Sequence, residues 1–178
     1  GFHNITITDL QNELDMGRGT LYYYFKDQDE LFRTCVETYI IEPKQKVLNS
    51  VTEDTCVEEM IQAMMQYLNH LKEALMTFEH KEINTGNVNS IMFTAYGRFP
   101  ALHRKAQRLA LKEVELWRKA IYNSQRAGII KRGIDVDQIA LMFAHIKNSY
   151  DSGLGRAQMN FQLLEKTYYA LYNLIKKE

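Results

Sequence analysis

The chain has 178 residues, 46% of them hydrophobic, and its 22 basic side chains balance 22 acidic ones. That supports one large helical domain, or a small domain joined to a larger one. No apolar run approaches the roughly 20 residues of a membrane span, no secretory leader pattern opens the chain, and Cys35 and Cys56 lack the spacing of a zinc ribbon or disulfide framework. A cytoplasmic protein with no membrane partner, no metal and no cofactor is expected.

Only 2 Pro and 9 Gly interrupt the chain, so long elements are expected. Thr6 suits the N-cap of a first helix over about residues 7–14, with Asp9 three residues on and Ile7, Leu10 and Leu14 along one face. Asp15-Met16-Gly17 reads as a turn, because Asp tolerates the left-handed region better than most residues. A second short helix is expected over about 18–25, with Leu21 and Phe25 inward and Arg18, Tyr22 and an edge of Tyr23 outward. Successive helical residues point about 100° apart, so Tyr22, Tyr23 and Tyr24 cannot all be core. Two short helices joined by a tight turn have the layout of a helix-turn-helix, and residues 18–24 are its candidate major-groove reader.

Asp27, with Glu30 three residues later, predicts a capping box for a third helix whose stripe is Phe32, Val36, Tyr39 and Ile40. Pro43 predicts a kink or restart there. Val57, Met60, Ile61, Met64, Leu68, Leu71 and Leu75 trace a long amphipathic helix. Residues 84–87 read as a loop, 88–96 as a short helix, and Gly97-Arg98-Phe99-Pro100 as its break. Pro100 suits the first turn of a helix running to about Arg126, with Ala110, Val114, Trp117 and Ile121 in register and Gly128 just past its end. Asp135 caps the next helix, whose stripe is Ile139, Met142, Phe143, Ile146 and Tyr150, and Gly153 and Gly155 end it. In the last helix Phe161, Leu164, Tyr168, Leu171 and Ile175 repeat at spacings of three and four, a coiled-coil-like seam. No strand period or internal repeat occurs, so the fold class is all-α.

The motifs Thr6-Ile7-Thr8-Asp9-Leu10, Gly19-Thr20-Leu21-Tyr22-Tyr23-Tyr24-Phe25-Lys26-Asp27 and Glu30-Leu31-Phe32 resemble the DNA-binding domain of the tetracycline-repressor (TetR) family over about residues 1–33. The resemblance implies a helix-turn-helix domain over 1–42 and an effector-binding and dimerisation domain over 43–178. It implies a homodimeric transcription regulator, most often a repressor, that leaves its double-stranded operator when a small molecule binds. The family's first helix would precede Gly1. Asp15 stands where the family has Gly, Gly17 where it has a capping Ser, and Gln28 where it often has a phosphate-binding Lys.

On this basis Thr6, Thr8, Arg18, Gly19, Thr20, Tyr22, Tyr23, Tyr24 and Lys26 are the candidate DNA contacts. Arg18 suits bidentate pairing with a guanine, whereas the hydroxyls and Lys26 suit phosphates, which set register without reading sequence. The local charge opposes this. Within residues 1–33, Arg18, Lys26 and Arg33 face Asp9, Glu13, Asp15, Asp27, Asp29 and Glu30, leaving three excess negative charges. A helical scaffold that has lost DNA binding is therefore the alternative.

The Met- and aromatic-rich remainder suits a largely apolar effector, or an ordinary core. Met64, Tyr67, Phe93, Trp117 and His145 are the pocket candidates. Ile139, Phe143, Ile146, Tyr150, Phe161, Leu164, Tyr168 and Leu171 are the candidates for the dimer interface. His70, His80, His103, Glu79 and Glu82 show no metal or catalytic spacing, so no enzyme is expected.

Overall fold

In a computed structural model of the chain, residues 11–17, 19–76, 85–151 and 161–177 are described. A turn of helix at residues 11–13 precedes α1 (Thr20–Tyr24) and α2 (Gln28–Val36). A π-helical turn, Glu37–Ile41, passes directly into α3 (Glu42–Ser50). Then come α4 (Val57–Met76), α5 (Thr85–Arg98), α6 (Pro100–Arg126), α7 (Val136–Asp151) and α8 (Phe161–Ile175). The chain is all-α: an N-terminal helix-turn-helix domain followed by a larger helical domain. The expected helix at Thr6 and the glycines at 153 and 155 lie outside the described residues.

The capping logic explains most boundaries. Asp27 Oδ1 accepts the Glu30 N–H at 2.8 Å, and Glu30 Oε2 accepts the Lys26 N–H at 2.7 Å, so two orphan donors at the start of α2 are satisfied. Asp135 Oδ1 accepts from the Gln138 N–H at 3.1 Å and starts α7. Gly128 has φ 75, and the Ile129 N–H reaches back to the Ser124 carbonyl at 2.9 Å, closing α6 with a Schellman turn.

Pro43 does not break its helix. Proline at 43 has no N–H and crowds the carbonyl four residues back. The π turn just before it admits one extra residue, and the Glu42 N–H bonds to the Glu37 carbonyl five residues away. α2, the π turn and α3 therefore form one continuous rod from Gln28 to Ser50. The extra residue also rotates the register. Ile41 becomes the buried position, Ile40 is only partly covered and Tyr39 is exposed.

Two other sequence expectations change. Residues 85–87 are helical rather than loop, and α5 runs through Gly97 to Arg98. A helical glycine costs only about 1 kcal/mol against Ala, which tertiary packing overrides. On α6 the buried stripe is Leu102, Leu109, Glu113, Leu116, Trp117, Ala120, Ile121 and Ser124, whereas Ala110 is exposed. α6 is the central element, packing against α3, α4, α5 and α7, while α8 closes over α4 and α7. The end of α8 is pinned to the segment after α6 by Lys131 N–H to Ile175 O at 3.0 Å and Lys177 N–H to Ile129 O at 2.8 Å.

Candidate nucleic-acid interface

Between residues 11 and 20 the chain reverses through two left-handed residues, Asp15 at φ 49 and Gly19 at φ 87. The Met16 N–H bonds to the Gln11 carbonyl at 2.8 Å, closing the preceding helix, and the buried Gln11 amide donates to the Gly17 carbonyl at 3.4 Å. Gly19 is the N-cap of α1 and supplies no side-chain cap. A left-handed residue cannot lie inside a right-handed helix. The reader helix therefore begins at Thr20 rather than Arg18, and ends at Tyr24 because Phe25 is extended.

Five residues are too few for an independent helix. α1 is held by Leu21, which is 5% exposed, and by the half-buried Phe25. Burying a leucine side chain contributes about 1.5–3 kcal/mol. All three tyrosines face solvent: Tyr22 is 58% exposed, Tyr23 84% and Tyr24 66%. The rings of Tyr23 and Tyr24 meet edge to face at 5.0 Å. Such a tyrosine run, on a helix anchored by one buried leucine, is a hydroxyl-bearing ridge. Lys26 is exposed at its end and Thr20 is half-buried at its start. Thr6, Thr8 and Arg18 lie outside the described residues.

The acidic surplus is smaller in space than in sequence. Asp29 is paired at 2.5 Å with Arg98 from the end of α5, and the carboxylates of Asp27 and Glu30 are turned onto backbone N–H groups. Three of the six acidic side chains are thus engaged at the start of α2.

The pocket candidates do not converge. Met64, Tyr67 and Trp117 are buried in the core, whereas Phe93 is 76% exposed and His145 is also exposed. Trp117 stacks on Phe143 with centroids 4.4 Å apart and on Tyr168 at 5.9 Å. Beside this stack the sequence reading missed a buried ion pair, Lys44 of α3 to Glu113 Oε2 of α6, at 2.6 Å. Its signal was a carboxylate in the apolar register, four residues from both Leu109 and Trp117. Burial, with the like charge of Lys147, lowers the Lys44 pKa, and Glu113 offsets part of that. Burial, then the negative charge of Glu113, raises the Tyr168 pKa well above the usual phenol range. Among the described residues, Glu113 Oε1, Trp117 Nε1 and Tyr168 Oη are buried without hydrogen-bond partners. Each such group costs about 1–3 kcal/mol.

The candidates for the dimer interface are also placed differently. Phe143, Ile146, Leu164, Tyr168 and Leu171 are buried inside one chain, and Ile139 and Phe161 pack against the same core. The side chain of Tyr150 is outside the described ones. The seam of α7 and α8 is filled by helices of the same chain, α4 and α6, so these residues are core. The large apolar side chains these helices leave exposed are Leu141, Met142, Leu163 and Leu174.

The family model for bacterial regulatory proteins, tetR family, matches residues 1–35, which include the turn, α1 and nearly all of α2. No curated protein matches the chain. No described helix is long and apolar enough to cross a membrane. The matched segment and the helix-turn-helix geometry identify the chain as a DNA-binding transcriptional regulator of the tetR family.

Proposed function

We propose that the protein is a homodimeric repressor, working in the cytoplasm, that a small and largely apolar effector releases from its operator. The observation that carries this reading is the rod from Gln28 to Ser50. It joins the DNA-binding domain to the helical domain without a flexible joint. The rod is fastened to the helical domain at Asp29–Arg98, Glu37–Lys105 and Lys44–Glu113. A shift of α5 or α6 therefore moves the rod and α1 with it. The domain boundary near residue 42 falls inside this rod, so the two domains share it.

Thr6, Thr8, Arg18, Gly19, Thr20, Tyr22, Tyr23, Tyr24 and Lys26 are the proposed DNA contacts. Arg18 reads a base and the hydroxyls hold phosphates. Leu141, Met142, Leu163 and Leu174 form the proposed dimer face. Leu163→Glu combined with Leu174→Glu then yields monomers in sedimentation, and an unchanged dimer rejects that face.

Enrichment of duplexes from a random pool by the full chain tests the function. It should return a two-fold symmetric site with half-sites about one helical turn, or a multiple of it, apart. A pool that shows no enrichment contradicts the proposal.

A further inference from the structure

We propose that α6 and α8 form a binding site for a neutral hydroxylated aromatic small molecule, whose hydroxyl is held jointly by Glu113, Trp117 and Tyr168. The consequence for DNA release rests on the effector reading above, but the binding itself does not.

Three buried polar atoms define the site: Glu113 Oε1, Trp117 Nε1 and Tyr168 Oη. Glu113 and Trp117 are four residues apart on α6 and so share a face. The Tyr168 ring stacks on Trp117 from α8, and its hydroxyl is close enough to Glu113 to feel its charge. The bonding inventory selects the ligand group. Trp Nε1–H only donates, the free carboxylate oxygen only accepts, and the tyrosine hydroxyl does either. A hydroxyl oxygen accepts from Trp117 and Tyr168 and donates to Glu113, and nothing is left over. A carboxylate would confront Glu113. An ammonium would leave the Trp117 N–H unpaired.

The ligand body follows from the walls. The rings of Trp117, Phe143 and Tyr168 lie within 10–16° of parallel. Trp117 and Phe143 are 4.4 Å apart, but Tyr168 stands 5.9 and 6.3 Å from them, so the looser side of the stack is at α8. A flat aromatic group suits that side, with entry by parting of the rings. The site is one carboxylate away from the rod, because Glu113 Oε2 holds Lys44 at 2.6 Å.

The test uses the full chain without DNA, titrated calorimetrically with 1-naphthol, naphthalene, 1-naphthoate and 1-naphthylmethylammonium. The chain has 1 Trp, so a single indole N–H resonance reports the site directly. 1-Naphthol should bind one molecule per chain, about tenfold or more tighter than each other probe, and move the indole resonance downfield. Tyr168→Phe keeps the ring and should weaken 1-naphthol about tenfold while leaving naphthalene unchanged. Equal affinity for naphthol and naphthalene, an unmoved indole signal, or preference for either charged probe overturns the site. Binding of 1-naphthol as described, with operator affinity unaffected, upholds the site and rejects only effector release through it.

Discussion

Arg98 Nη2 stands 2.5 Å from Asp29 Oδ1, and the next residue, Phe99, sets its ring 6.1 Å from Phe32. The end of α5 thus grips the first turns of α2 with one ion pair and one aromatic contact. Both charged partners are partly exposed, so Arg98→Ala should cost under about 1 kcal/mol in urea unfolding. The loss should shrink further in about 1 M salt, where screening acts over roughly 3 Å. A loss of several kcal/mol, or one insensitive to salt, would mean that the pair bears structural load beyond its charge.

The Lys44–Glu113 pair behaves differently because it is buried. Removing one partner leaves a charge stranded in the core, so Lys44→Met or Glu113→Leu should each cost about 3–5 kcal/mol. At about 2–4 °C per kcal/mol for a chain of this size, melting should fall by roughly ten degrees. The double variant Lys44→Met with Glu113→Leu should recover most of that. A double variant as unstable as the sum of the two singles rejects the pairing.

Tyr168 gives the alkaline limb a predictable sign. Its folded pKa is raised above the ordinary 10.0, so above that pH the unfolded chain releases a proton that the folded chain keeps. Stability is therefore fully present below about pH 10 and is lost as pH rises beyond it. Tyr168→Phe removes this contribution, so its stability should fall less steeply above pH 10. At neutral pH the variant should be at least as stable as the parent, because the hydroxyl it loses has no protein partner. Parallel curves above pH 10 contradict the assignment.

Local chemistry was legible in the sequence where one residue decides the outcome. Asp15 takes the left-handed conformation its type allows, Asp27 and Asp135 cap, Gly128 closes α6, and Pro100 opens it. The α4 stripe was also readable, since a buried helix face imposes a period of 3.6. What sequence could not show was who covers a face. The α8 seam reads the same whether a partner or its own chain fills it. Nor does periodicity report an inserted residue, so the π turn that moves burial from Tyr39 and Ile40 to Ile41 was invisible. In the candidate site, the outward tyrosines were legible as a reader, but the start of α1 was not. It depends on the φ of 87 at Gly19, which composition does not fix.

The two glycines flanking position 18 should therefore respond differently to substitution. Gly19→Ala places a side chain on a left-handed residue and should cost about 1 kcal/mol, weakening DNA binding with it. An added Cβ at Gly17 would meet only Thr20 Oγ1, at 3.5 Å, an ordinary contact. Gly17→Ser should leave melting within about 0.5 kcal/mol of the parent. Equal losses at both positions, followed by thermal unfolding, would reject the difference in backbone conformation.

The most direct measurement is the affinity of the full chain for its enriched duplex between 50 and 200 mM salt, taken with Tyr22→Phe, Tyr23→Phe, Tyr24→Phe and Leu21→Ala. The parent should lose affinity steeply and log-linearly as salt rises. The tyrosine variants together should lose about tenfold with unchanged melting, while Leu21→Ala should lose both binding and about 2–5 kcal/mol of stability. Binding that ignores salt, or that survives removal of all three exposed hydroxyls at full strength, would contradict a DNA reader built on α1.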